Sequence, residues 1–278
     1  MLLVRTFVKA GIRMSTTKLG PYRVSAYNTA KESENKIHDD AVAQRFGFRG
    51  GLVPGVDVYA YMTHLPVEAW GRAWLERGSA DCRFLRPVYE GATATITSDA
   101  APTAMTLELT VDGELCATGS AALRDAPAAP PDAANFVEAA APETRPPADE
   151  ASLMAGKWLG MRPLPVTADF AANYLRDVRE SHPLYVRERL VHPGMILRTG
   201  NWLLTHNVVL GPWIHVGSTI NNFAPARVGQ TLTARARVIA NYDKKGHRFV
   251  DLDALVLADG TPIARIAHTA IYRPRQIP

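Results

Sequence analysis

Long apolar runs are missing from this chain. None approaches the roughly 20 residues that a helix needs to cross a bilayer, so no membrane partner is expected. Cysteine is scarce: Cys82 and Cys116 are the two present, and both lie in stretches that read as strand. A disulfide framework is therefore excluded, and two buried thiols in a reducing compartment are expected. Charge of one sign is lacking as well. The formal net charge of +4 is spread along the chain, and no Lys/Arg block interleaves with aromatic residues, which argues against a nucleic-acid partner. Mild basicity would suit an anionic ligand, a property shared by many unrelated proteins. No phosphate-binding glycine loop, Gly-x-Ser-x-Gly elbow or metal-ligand cluster is present, so P-loop, α/β-hydrolase and metalloenzyme readings have no support.

What is there suffices for a sizeable core. The chain has 278 residues, 47% hydrophobic and 21% charged, the profile of one large or two ordinary soluble domains. Its first residues, MLLVRTFVKAGIRMSTTK, are basic and free of acids. They read either as a weak organelle-targeting segment over residues 1–13 or as an over-long start with Met14 as the initiator. Heavy use of Ala, Arg and Pro suits a GC-rich bacterial gene, and the second reading, with a cytoplasmic protein, is preferred.

Taken in order, Tyr22 to Tyr27 alternates as a first strand. Asp39 or Asp40 can cap a short helix over 41–46, which Gly47 stops. Residues 56–64 are apolar at helical spacing, and Pro66 opens a further helical piece over 67–76 that Gly78 ends. From Asp81 the period becomes two: strands are expected at 93–97, 105–111 and 115–123, with Asp112-Gly113 as a two-residue hairpin turn. Residues 125–150 carry Pro127, Pro130, Pro131, Pro142, Pro146 and Pro147 among many alanines and read as a linker. Beyond it the layout recurs. Leu190 to Gly194 echoes Leu52 to Gly55, and Pro225-x-x-x-Gly229 echoes Pro87-x-x-x-Gly91, with offsets of 139 and 138 residues. An apolar helix over 195–205 and strands at 231–240, 249–258 and 262–272 follow, with Asp259-Gly260 as the matching turn. Two landmarks that agree to one residue indicate duplication. The expected units are 15–124 and 151–278, each a helix wrapped by an antiparallel sheet, joined edge to edge so that fewer sheet edges stay free.

The richest stretch is Glu32 to Met62. A polar loop ends in His38; a short amphipathic segment closes on Gly47; a glycine turn, Gly50 to Gly55, launches the apolar helix. Histidine can take up and release a proton near neutral pH, and a helix N-terminus offers free N–H groups and a positive dipole end. This stretch resembles the MaoC-like branch of the hotdog-fold enzymes, the R-specific enoyl-CoA hydratases and 3-hydroxyacyl-thioester dehydratases. Their motif runs Asp-x-Asn-Pro-hydrophobic-His ahead of a glycine turn. Asn35, Ile37 and His38 match it, as do Asp40, the run from Gly47 to Gly50, and Leu52 to Gly55. Lys36 replaces the proline, and Ser33 stands where the family has its catalytic aspartate.

The resemblance implies an α+β double hotdog in which two antiparallel sheets each wrap a central helix. It implies a small-molecule acyl thioester, linked to CoA or a carrier, as substrate, with no cofactor and with a homodimer of double-hotdog chains as the assembly. His38 would handle the proton, the N–H near Gly55 would hold the thioester carbonyl, and Asn35 would orient loop or substrate. Because Ser33 supplies no carboxylate, Glu34 and then Glu32 are the candidates to share proton transfer. Val56, Asp57 and Tyr61 are candidate substrate contacts. Plainer roles stand beside these: His38 as a loop brace, Glu34 as a solvated charge, Gly55 as a packing glycine, and Tyr61 as core with a polar tip. The second half has no counterpart of His38; Asp177 or Glu180 falls at that place, and His192 reads as structural, so one site per chain is expected. A thioesterase and a non-catalytic thioester-binding protein are the alternatives on the same fold.

Overall fold

The computed structural model describes residues 16–275; the N-terminal segment discussed above, residues 1–13, lies outside them. The first half runs β1 (Thr17–Ser25), α1 (Asp40–Gln44), α2 (Gly55–Met62), α3 (His64–Trp70), α4 (Arg72–Arg77), β2 (Gly78–Phe84), β3 (Thr93–Ala101), β4 (Ala104–Val111) and β5 (Glu114–Leu123). After the proline-rich stretch come β6 (Trp158–Gly160), β7 (Leu164–Pro165), α5 (Ala168–Asp177), α6 (Leu184–Glu188), α7 (Pro193–Thr205), β8 (Ile214–Asn222), β9 (Thr231–Lys244), β10 (His247–Ala258) and β11 (Thr261–Arg273). The strands form one 11-stranded sheet in the order β1-β3-β4-β5-β2-β8-β11-β10-β9-β6, with β7 on β9.

Local chemistry explains most of these elements. At the two Asp-Gly turns both residues take positive φ, 50° and 78° at Asp112 and Gly113 and 47° and 80° at Asp259 and Gly260. That backbone matches the twist of the flanking strands, so β4 folds back on β5 and β10 on β11. Helix α2 is apolar all round, and every residue from Val56 to Met62 is buried, as expected of a helix enclosed by sheet. It ends earlier than its spacing suggests. The hydroxyl of Thr63 donates to Ala60 O at 2.8 Å, and the chain restarts at His64. Pro66 therefore lies inside the first turn of α3 instead of opening it. Gly71, at φ 56°, splits α3 from α4, and Gly78 begins β2.

A strand without a sequence signal lies at the centre. β8, IHVGSTINN, carries Gly217 and no clean alternation, yet it joins the halves. Cys82 sits opposite Ser218 and Ala80 opposite Ile220 in the antiparallel β2–β8 ladder. Helices α2 and α7 meet across this joint so closely that a Cβ on Gly194 would lie 2.6 Å from that of Ala60. The proline-rich stretch docks on the second sheet, with Phe136 buried beside Leu255 and Leu257. No helix among the described residues is long and apolar enough to cross a membrane.

Between α2 and α7 lies a buried ion pair. Asp57, fully buried, accepts from the Arg198 guanidinium and from the hydroxyl of Thr29. The Arg198 guanidinium also donates to Thr29 Oγ1 at 2.7 Å. Removing one partner of such a pair leaves an uncompensated charge in the core, whereas apolar replacement of both is tolerated. Arg198→Met is expected to cost about 3–5 kcal/mol, and Asp57→Leu in that background to recover most of it. Urea unfolding of the single and double variants measures both effects.

Candidate active site

The loop that carries His38 is pinned from several directions. Asn35 caps a single 3-10 turn, its Oδ1 accepting from Ile37 N at 3.3 Å. Asn28 Nδ2 donates to His38 O at 3.0 Å. The glycine turn is tied back to the loop by Asp40, whose Oδ1 accepts from Gly51 N at 2.7 Å. Gly51 passes so close to the His38 carbonyl that a Cβ there has no room. Asp39 is the helix cap, accepting from Val42 N at 3.0 Å.

These contacts fix the tautomer of His38. Its Nδ1 lies 2.6 Å from Leu52 O; a carbonyl only accepts, so Nδ1 carries the proton and neutral His38 has its lone pair on Nε2. Asn35 Nδ2 lies 3.2 Å from that Nε2. The orientation of the Asn35 amide is fixed in turn by Trp213, whose N–H donates to Oδ1 at 3.1 Å and whose carbonyl accepts from Nδ2 at 3.0 Å. Burial lowers the pKa of His38 below its ordinary 6.5, against opposing contributions from Leu52 and Asp57. The result is a neutral imidazole that lines a cavity, with its Nε2 lone pair facing the Asn35 amide.

That cavity, of about 190 Å³, is lined by His38, Asn35 and Gly55 together with apolar groups such as Phe84, Leu52 and Trp213. A more polar cleft of about 530 Å³ also reaches His38 and carries Arg145, Arg162 and Arg198. Helix α2 points its N-terminus at the first cavity. Pro54 offers no side-chain cap, and neither Gly55 N nor Val56 N has an acceptor among the described residues. Two N–H groups are thus free where a carbonyl oxygen could lie.

Of the residues singled out by sequence, Asn35, His38 and Gly55 come together at this cavity, and Val56 lines the cleft. Ser33 and Glu34 line that cleft as well, beside His38 and Val56. Glu34 is 73% exposed and paired with Arg145 at 2.9 Å. Glu32 is exposed and lines a separate surface hollow that touches His38. Ser33 turns its hydroxyl to Asn35 O at 3.4 Å. Asp57 is consumed by Arg198, and Tyr61 by the backbone of Tyr27, whose N–H donates to its hydroxyl at 3.1 Å; neither lines the cavity. Among the described residues no carboxylate is hydrogen-bonded to His38. Sequence reasoning missed Trp213, His215, Asn201 and Arg198, all brought in from the second half. Nothing local marks them, although His215 and His268 are histidines in strands of a half otherwise read as a degenerate copy.

Neither a protein-family model nor a curated protein sequence matches the chain. Solved structures do. A conserved Mycobacterium tuberculosis protein with a double hotdog fold is 17% identical, covers 92% of this chain and 96% of its own, and gives a TM-score of 0.63. A protein described as a MaoC domain dehydratase of Chloroflexus aurantiacus is 12% identical, with 94% and 95% covered and a TM-score of 0.60. A MaoC-like dehydratase is 13% identical, with 94% and 98% covered and a TM-score of 0.59. The chain has the double hotdog fold.

The tautomer and burial of His38 set a pH dependence. The base form exists above its folded pKa and is lost as pH falls through it. Because that pKa is depressed, the acid limb of a kcat/KM profile is expected below pH 6.5, the ordinary histidine value. A limb above that value would contradict the geometry derived for Nε2.

Proposed function

We propose that this chain is an acyl-thioester hydratase or dehydratase of the MaoC-like type, acting on a CoA- or carrier-linked substrate. The observation that carries the reading is His38 Nε2, an unprotonated nitrogen that accepts from Asn35 beside an apolar cavity also lined by the uncapped start of α2. The thioester oxygen would lie on the free N–H groups of Gly55 and Val56, with the acyl chain among the apolar side chains. His38 takes a proton from water as the water oxygen bonds to the β-carbon. The electron pair of the double bond moves onto the thioester oxygen as an enolate. The imidazolium then returns that proton to the α-carbon, so one group serves as base and acid in turn. Dehydration is the reverse. The buried thiols Cys82 and Cys116 accord with a cytoplasmic setting as part of this reading, and a homodimer is its expected assembly.

One observation favours a rival. Ser33 leaves His38 without a carboxylate partner, which suits a protein that binds thioesters without turning them over. Incubation with crotonyl-CoA, following the conjugated double bond and free thiol together, separates the two, and release of thiol without hydration would identify a thioesterase instead. Hydration is expected in the wild type, with loss on the order of 100-fold or more in His38→Ala. Glu34→Gln is expected to stay within about fivefold of wild type, as for an exposed ion pair worth up to ~1 kcal/mol. Ser33→Asp is expected to retain or raise activity. No turnover in the wild type together with turnover in Ser33→Asp would establish the rival.

A further inference from the structure

A second histidine reaches the same helix terminus from the other half of the chain. His215, on β8, is 6% exposed, and its ring lines the cavity. Its Nδ1 is buried without a hydrogen-bond partner among the described residues. That atom would lie 3.0 Å from a Cβ built on Gly55, so it faces the first residue of α2. Phe84 holds the ring edge-on at 4.9 Å. On the far side, His215 Nε2 lies 2.8 Å from Ser218 Oγ, which lies 3.0 Å from Nδ1 of His268 on β11. The two imidazoles stack at 4.2 Å.

Where Ser218 gives its one proton to a ring nitrogen, the chain of three has two arrangements. In one, Ser218 donates to His268 Nδ1, and the His268 proton sits on Nε2. That nitrogen is buried without a partner, in a residue 1% exposed and packed on Gly200 of α7. An orphan N–H there has nothing to bond. In the other, His268 Nδ1–H donates to Ser218, Ser218 donates to His215 Nε2, and the His215 proton sits on Nδ1. The orphan N–H then faces the cavity, where a ligand can accept from it. Unpaired buried donors are costly, and the second arrangement places that cost where binding removes it.

We propose that His215 is a further catalytic residue: in neutral form, its Nδ1–H donates to the substrate's thioester oxygen as that oxygen gains negative charge, completing the anion hole begun by Gly55 and Val56. Neutrality suits the task. Burial, and then His268, hold the pKa of His215 well below 6.5, against a backbone contact with Gly217. A neutral imidazole beside a helix N-terminus can polarise a carbonyl without having to lose a charge. Ser218 and His268 are positioning residues that set the tautomer. The inference rests on the reading that a thioester carbonyl docks at α2, and it holds for hydratase and thioesterase chemistry alike.

Butyryl-CoA labelled with 13C at the thioester carbonyl tests it by isotope-edited infrared spectroscopy. In the wild type the bound carbonyl band is expected below its position in water. In His215→Leu it should return most of the way, and in His215→Asn, whose amide N–H occupies the place of Nδ1, it should stay low. Crotonyl-CoA turnover should fall on the order of 100-fold in His215→Leu, the usual loss for one anion-hole donor, mainly in kcat. Identical bands in the wild type and His215→Leu, with butyryl-CoA bound to both, would overturn this role and leave the thioester site standing. Absence of butyryl-CoA binding to the wild type would remove the site and this role together. Should His215→Leu fail to fold, long-range 1H–15N spectra of histidine-labelled wild type decide. A protonated Nδ1 on His215 with butyryl-CoA bound supports the assignment, and an unprotonated one overturns it.

Discussion

An open antiparallel sheet curled around a helix has an edge that it must cover, and here each half covers the other's. The β2–β8 ladder turns two such sheets into one, and everything at the site follows from where that ladder places the second half. An unpaired edge exposes a row of backbone donors and acceptors to other chains. Joining the edges removes that hazard and sets β8 beside the opening of α2. This strand of weak local signal is paired on both sides, so its position is fixed by neighbours instead of by its own pattern.

This joint also explains how a loop in one half becomes rigid enough for chemistry. Asn35 is a turn cap by its local bonding, but its amide is oriented by both backbone groups of Trp213, just ahead of β8. Because that orientation is fixed, the amide presents N–H to His38 Nε2, while Leu52 holds the opposite nitrogen. The imidazole is clamped at both ends by groups that allow one tautomer. Preorganisation of this kind lets a single histidine serve as a positioned base. The same long-range packing consumes the carboxylate of Asp57. Its pairing with Arg198 is demanded by burial between the two helices.

How much of this was legible in the sequence follows from how far each feature reaches. The hairpins at Asp112 and Asp259, the two apolar helices and the joined sheets were readable, since turn chemistry, periodicity and repetition are local or recur. Asn35, His38 and Gly55 were readable because the loop, spacer and turn that bring them together span some twenty residues. The pairing of Glu34 was not, because its partner, Arg145, lies 111 residues away. Trp213 and His215 were invisible for the same reason: their relation to Gly55 exists only once β2 and β8 are paired. Helix ends were misjudged where side chains arbitrate, as at Thr63, whose hydroxyl bonds back to the turn that it terminates.

The asymmetry between the halves has its own physical cause. Counting back from Gly194 as from Gly55 leads to the loop around Glu180. There the carboxylate accepts from His64 at 2.8 Å and from His182 N at 2.7 Å, and lies 3.4 Å from His192 Nε2. Tyr22 stacks on His64 at 3.8 Å, and Tyr185 is buried against His192. The decisive contact is at the start of α7. Gly194 N, the counterpart of the free N–H of Gly55, donates to His192 Nδ1 at 3.1 Å. That bond leaves the proton of neutral His192 on Nε2, facing the carboxylate, so both ring nitrogens are spent. A donor already satisfied by its own cap has nothing to offer a carbonyl, and the Glu180 carboxylate is engaged by His64, His182 N and His192. In the first half Pro54 stands at the cap position and cannot accept with a side chain. One imidazole placed ahead of the proline that both turns share thus closes a helix terminus in the second half that the first half leaves open.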